Sequence, residues 1–190
     1  MMEEIIKKAR EYALDEIDKF GTPKIEHFEL SFEKGLLLAE KFEGNKDIVA
    51  LGTILMDLKL GECIKENKIA EHVQRSSEAA QEFLKQFDIE EEVVKKIISC
   101  VESHHGVDEY YCLEAEICAN ADCYRFLSPF GIFNYLILLA GRKMDYDEYL
   151  NQLEYKMNEK YKTLSLDVCK EELTGYYLNF KDLIKEARTK

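Results

Sequence analysis

The sequence predicts a single all-α domain. Three observations predict it. Apolar residues recur at helical spacing through nearly the whole chain. Only two prolines occur in 190 residues, Pro23 and Pro129, and each falls at a break. No run alternates in the manner of a strand, and no Asn-Gly or Asp-Gly hairpin signal is present. There is also no repeat period and no low-complexity linker, so residues 1–190 read as one domain. Its core is expected over about 20–128, with helices over about 130–188 packed on it as a cap.

The helices follow in order. Residues 2–20 are amphipathic, with acids from residue 3 in the first turn. After Pro23, "KIEHFELSFEKGLLLAEKF" predicts a helix over about 24–43 with His27 in its first turn. "IVALGTILMDL", within about 46–58, is one of the most apolar stretches and closes on Asp57. "EHVQRSSEAAQEFLKQF" gives a helix over about 68–87 that His72 opens. "EEEVVKKIISCVESHHG" gives one over about 90–105 that ends in His104 and His105, with Gly106 as C-cap. "LEAEICANADCYRFL", over about 112–127, carries small residues (Ala115, Cys118, Ala119, Ala121) that permit close approach to its neighbours. Glu114, Cys118 and Asp122 share one stripe of it. "FNYLILLAG" predicts an apolar helix over about 131–141, and two amphipathic helices rich in Tyr and Lys follow over about 145–162 and 167–187.

Composition narrows the function classes. The chain is 46% hydrophobic and 34% charged. No apolar run reaches the roughly 18–20 residues of a membrane helix, and the N-terminus is neither a signal nor a transit peptide, so a cytoplasmic protein with no membrane partner is expected. Cys63, Cys100, Cys112, Cys118, Cys123 and Cys169 form no C-x-x-C pair and read as reduced thiols, not a zinc ribbon. The formal net charge, 26 − 38 = −12, argues against extended DNA or RNA as partner. A small phosphorylated molecule remains compatible, because a metal or a few lysines can reverse the field inside one cleft.

The four histidines are His27, His72, His104 and His105. Alone, each has an ordinary structural explanation. Asp57 is less ordinary: a carboxylate ending a buried helix has to be paired, hydrogen-bonded or metal-bound, since an isolated buried charge costs several kcal/mol. Asp122, on a tightly packed helix, needs a partner for the same reason. Taken together, imidazoles and carboxylates on helices are a ligand set for Zn, Mn, Fe, Ni or Mg.

This order and context resemble the HD superfamily of metal-dependent phosphohydrolases. "HFELSFEKGLLLAEKF" looks like the family's first-histidine helix and "ALGTILMDLKLGE" like its His-Asp helix. "EHVQRSSEAAQEFLKQF" and "EEEVVKKIISCVESHHG" look like its middle helices, and "LEAEICANADCYRFL" like the helix giving the last Asp. The resemblance implies an all-α fold, a divalent metal ion between helices, and water attack on phosphorus. It implies that His27, Asp57 and Asp122 hold a first ion, and that His72 with His104 or His105 hold a second that Asp57 bridges. His104 is expected to face the cleft and His105 its rim.

One departure is central: Met56 stands where the family has the His of its His-Asp pair. A thioether suits soft ions and binds hard or borderline divalent ions poorly, so Met56 is expected to pack among apolar neighbours. The ion then binds through His27, Asp57 and Asp122 with waters, or sits in the second position, or metal and activity are lost. After "HHG" comes "VDEYY", not the Gly-Tyr-Pro element of cyclic dinucleotide phosphodiesterases.

Three functions are carried forward: a phosphohydrolase acting on a small nucleotide or phosphate ester, a catalytically silent metal- or ligand-binding protein of the same fold, and a two-iron oxygenase on the same ligands. For the first, Asp57, His105 and Glu62 are the candidates for proton handling. Lys59, Arg75, Lys156 and Lys160 are the candidates to hold phosphate; a solvated surface turn is the favoured reading for Lys59 and Glu62, and ordinary surface roles for Lys156 and Lys160. Association as a homodimer is a further expectation.

Overall fold

The computed structural model describes residues 1–189. Among them the chain forms ten α-helices: α1 (Met2–Phe20), α2 (Ile25–Lys41), α3 (Lys46–Leu55), α4 (Leu60–Lys65), α5 (His72–Leu84), α6 (Glu91–Ser103), α7 (Leu113–Leu127), α8 (Pro129–Ala140), α9 (Tyr146–Thr163) and α10 (Asp167–Ala187). A 3-10 turn, Ile69–Glu71, leads into α5. No strand occurs among the described residues. The fold is all-α, as the periodicity predicts.

The arrangement follows from α7. Every residue from Ile117 to Leu127 is buried, and α2, α3, α6, α8, α9 and α10 all pack against this helix. Small side chains make that crowding feasible: Ala115, Cys118, Ala119 and Ala121 are fully buried. The consequence is that Asp122 and Arg125, also on α7, are drawn into the interior.

Beside it lies α3, buried from Ile48 to Leu55. The Asn45 side chain accepts from the backbone N–H groups of Asp47 and Ile48 at 3.0 and 3.2 Å and caps the helix. Gly52 lets α3 approach α6 and α7: a Cβ there would lie 2.5 Å from Cys100 Cβ and 2.9 Å from Cys118 Sγ. Gly131 does the same where α8 leaves α7, since a Cβ there would lie 2.3 Å from the Tyr124 carbonyl oxygen. One buried apolar cluster runs from Ile5 on α1 to Ile184 on α10.

The cap is tied on by a buried side chain. Asn120 of α7 donates to Ser165 Oγ at 2.7 Å and accepts from the backbone N–H groups of Ser165 and Leu166, both at 3.1 Å. These bonds fix the α9–α10 connection over the core.

The sequence differs from the structure at the end of α3. The helix was expected to run to about 58 but stops at Leu55, and the short α4 follows. Gly61 of α4 sits against α1, where a Cβ would lie 2.4 Å from Phe20 Cβ. Six residues are too few for periodicity to reveal, and tertiary packing fixes them. All six cysteines are free, and only Cys112 is less than fully buried. Among the described residues no single helix is long and apolar enough to cross a membrane.

Candidate active site

Six elements bring chemistry to one chamber. His27 comes from the first turn of α2, Asp57 from the turn after α3, His72 from the start of α5, and His104 and His105 from the turn after α6. Asp122 and Arg125 project from α7, and Lys156 and Lys160 from α9. All of them line a cavity enclosing about 770 Å³, part of it open to solvent. Tyr135, Leu138, Arg142 and Tyr155 complete the wall toward the cap. The five residues expected to converge (His27, Asp57, His72, His104 and Asp122) do so.

The carboxylates are held by fixed cations. One nitrogen of the Arg125 guanidinium, Nη1, lies 2.5 Å from Asp57 Oδ2 and 2.7 Å from Asp122 Oδ1. Lys160 Nζ lies 2.5 Å from Asp122 Oδ2. Burial pushes the Asp57 carboxyl up, but Arg125, with His104 and His72, overcomes that and holds it well below the usual carboxylate range. Burial likewise opposes ionisation of Asp122, and Lys160 and Arg125 reverse it. Lys160 keeps its charge despite burial because Asp122 faces it.

His27 is buried, 1% exposed, and its Nε2 is 2.8 Å from the Gly131 carbonyl oxygen. A carbonyl only accepts, so Nε2 carries the proton and donates. Burial and the nearby Arg125 push the imidazole down to about 4, which leaves it neutral.

The other three histidines point their ring nitrogens at one another. His104 Nδ1 donates to the Val101 carbonyl at 2.6 Å and His72 Nδ1 to the Ile69 carbonyl at 2.7 Å. Each therefore keeps a bare Nε2 lone pair. These Nε2 atoms lie 3.6 and 3.9 Å from Asp57 Oδ1. His105 Nδ1 is 2.9 Å from Glu159 Oε1, and its Nε2 is 3.0 Å from His72 Nε2. Burial pushes His105 down to about 4 and lowers His72 as well. Glu159 is held at about 2: burial opposes its charge, while His105, Lys156 and Lys160 favour it.

The two ion positions implied by the resemblance fare differently. His104 Nε2 is buried and has no hydrogen-bond partner. With Nδ1 as the donor, this Nε2 offers a lone pair that the ionised Asp57 cannot fill and a metal ion can. Ligand atoms of His72, His104 and His105 all lie within 4.8 Å of one another. Tetrahedral nitrogen and oxygen ligands at ~2.0–2.1 Å from an ion are about 3.3–3.5 Å apart. Two imidazoles with tautomers fixed by backbone carbonyls, a third whose Nδ1 faces Glu159, and one carboxylate thus fit a divalent ion. The set His27, Asp57 and Asp122 does not fit one: the His27 Nε2 is protonated toward Gly131, and Arg125 and Lys160 already engage both carboxylates. Met56 is buried, 1% exposed, and is not part of the chamber wall.

Three expected residues are not brought to the chamber. Lys59 Nζ turns to Glu16 of α1 at 2.9 Å and to Glu62 at 3.3 Å. Arg75 pairs with Glu71, Glu66 and Glu62 at 2.6, 2.8 and 3.5 Å. Lys59 and Glu62 were candidates for the cleft mouth against a solvated surface turn, and the turn after Leu55 with the short α4 places them as that turn would. Arg75, expected on the His72 face of α5, turns to the Glu62, Glu66 and Glu71 carboxylates instead. The surface reading of Lys160 is likewise corrected: it is fully buried. Lys156, paired with Glu159 at 2.9 Å, does line the chamber, and burial with the neighbouring Lys160 lowers its pKa.

Arg125, Arg142 and Tyr155 were not singled out from the sequence. For Arg125 a signal existed: it follows Asp122 by three residues, which places both on one helix face.

A scan against protein families finds no match for this chain, and a search of curated proteins finds none either. Solved structures do match over the full length. An HD-superfamily hydrolase from Bacillus thuringiensis superposes with a TM-score of 0.68 at 17% identity, covering 100% of both chains. The Lin1889 protein from Listeria innocua gives 0.68 at 15% identity, over 100% of this chain and 96% of that one. YpgQ from Bacillus subtilis, solved in complex with ADP, gives 0.66 at 16% identity, over 98% of this chain and 97% of that one. The chain therefore has the fold of the HD-superfamily hydrolases.

Proposed function

We propose that this protein is a metal-dependent phosphohydrolase acting on a small nucleotide or phosphate ester. The observation that carries this reading is a local reversal of charge. The chain has a net charge of −12. Yet the chamber wall holds Arg125, Arg142, Lys156 and Lys160 against Asp57 and Asp122, with Glu159 behind Lys156, so four cations face three carboxylates. An anion is favoured there although the molecule as a whole repels it.

The residues divide the work. His72, His104, His105 and Asp57 hold the divalent ion, which supplies an activated water and polarises a phosphoryl oxygen. Lys156 and Arg142 receive the phosphate groups. Tyr155, Tyr135 and Leu138 offer aromatic and apolar surface to the remainder of the ligand. Glu159, 2.9 Å from His105 Nδ1, orients that imidazole toward the ion. The ADP complex of YpgQ supports a nucleotide as the kind of ligand, at the level of a shared fold.

Silent ligand binding is the alternative, and one observation favours it: Asp57 and Asp122 are already neutralised by protein cations. The two-iron oxygenase loses support on the same ground, because its first set of ligands is engaged. The test is phosphate release from nucleoside mono-, di- and triphosphates and a simple aryl phosphate, with Mn, Mg, Ni, Zn and Fe(II) supplied in turn. Metal-dependent release that His104→Ala abolishes supports hydrolysis. Nucleotide binding with no release under any metal supports the silent binder.

A further inference from the structure

Two carboxylates that face one another inside a protein cannot both ionise without a cation between them. In this chain the cation is covalent. Arg125 Nη1 bridges Asp57 and Asp122 at 2.5 and 2.7 Å, and Lys160 Nζ takes the remaining Asp122 oxygen at 2.5 Å. Arg125 is 4% exposed and Lys160 is fully buried. Two negative charges are thus matched by two positive ones out of water. The third donor of that position, His27, spends its Nε2 proton on Gly131, and Met56 supplies no nitrogen.

We propose that Arg125, backed by Lys160, is a built-in replacement for the first metal ion of this fold, so that the chain binds one divalent ion and not two. The single ion lies at His72, His104, His105 and Asp57, a part of the claim that rests on the proposed function. The replacement itself stands on the Arg125 geometry alone. Arg125 is a positioning residue here: it fixes Asp57 Oδ2 and leaves Oδ1 turned toward His72 and His104. A guanidinium does this without metal supply, since the two protons on one terminal nitrogen can serve two carboxylates.

The test counts and locates ions. Metal-free protein is loaded with Mn or Zn, the ions per chain are measured by elemental analysis, and their positions are found by anomalous scattering. Wild type is expected to hold one ion, beside His104. The Met56→His, Arg125→Gln double variant is expected to hold one more, between Asp57 and Asp122, whereas Arg125→Lys, which keeps a cation, gains none. Two ions in wild type, or one ion between Asp57 and Asp122, overturn the proposal whether or not the variants fold. A folded double variant that gains no ion overturns it too. If wild type holds no ion but the double variant gains one, the replacement stands and the metal reading of the histidine cluster fails.

Discussion

Arg125 Nη1 and Asp57 Oδ2 meet at 2.5 Å although 68 residues of chain separate them. This contact ties the end of α3 to the middle of α7 and sets the electrostatics of the chamber. Removing Arg125 would leave Asp57 and Asp122 facing each other with Lys160 as the only strong counter-charge. Breaking a buried pair from one side costs about 3–5 kcal/mol. Arg125→Gln is expected to lose that much in urea denaturation and to recover part of it when Mn is added. A loss under about 1 kcal/mol, the range of exposed pairs, would contradict the bridging role.

His27 makes folding stability sensitive to mild acid. Its pKa is depressed to about 4 in the folded state, against about 6.5 when unfolded. As pH falls, the unfolded chain takes up the proton first. His27's contribution is therefore complete above about pH 6.5 and is lost between there and about pH 4. That shift corresponds to about 3 kcal/mol. His27→Gln keeps a donor for Gly131 but does not titrate. Denaturation of both proteins at pH 7.5 and 4.5 checks this: wild type should lose about 2.5 kcal/mol more than the variant. Asp57 and Asp122, held below the usual carboxylate range, stay charged throughout that window.

Lysines inside and outside the chamber should behave differently. Lys156→Ala is expected to weaken nucleotide binding about tenfold, the equivalent of about 1.4 kcal/mol. Lys59→Ala and Arg75→Ala are expected to leave binding unchanged and to cost under about 1 kcal/mol of stability each, because their partners are partly exposed carboxylates. Calorimetric titration with ADP separates the two groups. A tenfold loss in Lys59→Ala would show that α4 does reach the ligand.

What could be read from the sequence depended on period and on chemistry. The long helices were legible because each shows an apolar stripe over three or more turns. Asp57 and Asp122 stood out because a carboxylate on a tightly packed or apolar helix needs a partner, whereas His27, His72 and His104 were singled out only through the resemblance to the HD superfamily. The end of α3 was not legible, because α4 is too short for a period to show and its Gly61 packs on Phe20, a contact absent from any local pattern. Arg125 was missed for another reason. An arginine is usually a surface residue, and only the complete burial of α7 draws this one inward. Lys160 looked equally ordinary in a lysine-rich amphipathic helix. Its role depends on Asp122 waiting across the helix interface.

The unpartnered Nε2 of His104 is where the claim of metal-dependent hydrolysis is most exposed. Phosphate release from ADP is measured against Mn concentration for wild type and for His104→Ala, with metal affinity taken by calorimetry on the same preparations. Losing one of four ligands is expected to raise the Mn needed for half-maximal release by at least the 10–100-fold seen for the weaker, outer-shell losses. Affinity should fall in parallel, with the thermal transition of the folded variant retained. Release by His104→Ala at the wild-type rate and the wild-type Mn concentration would contradict the claim that this histidine cluster holds the working ion.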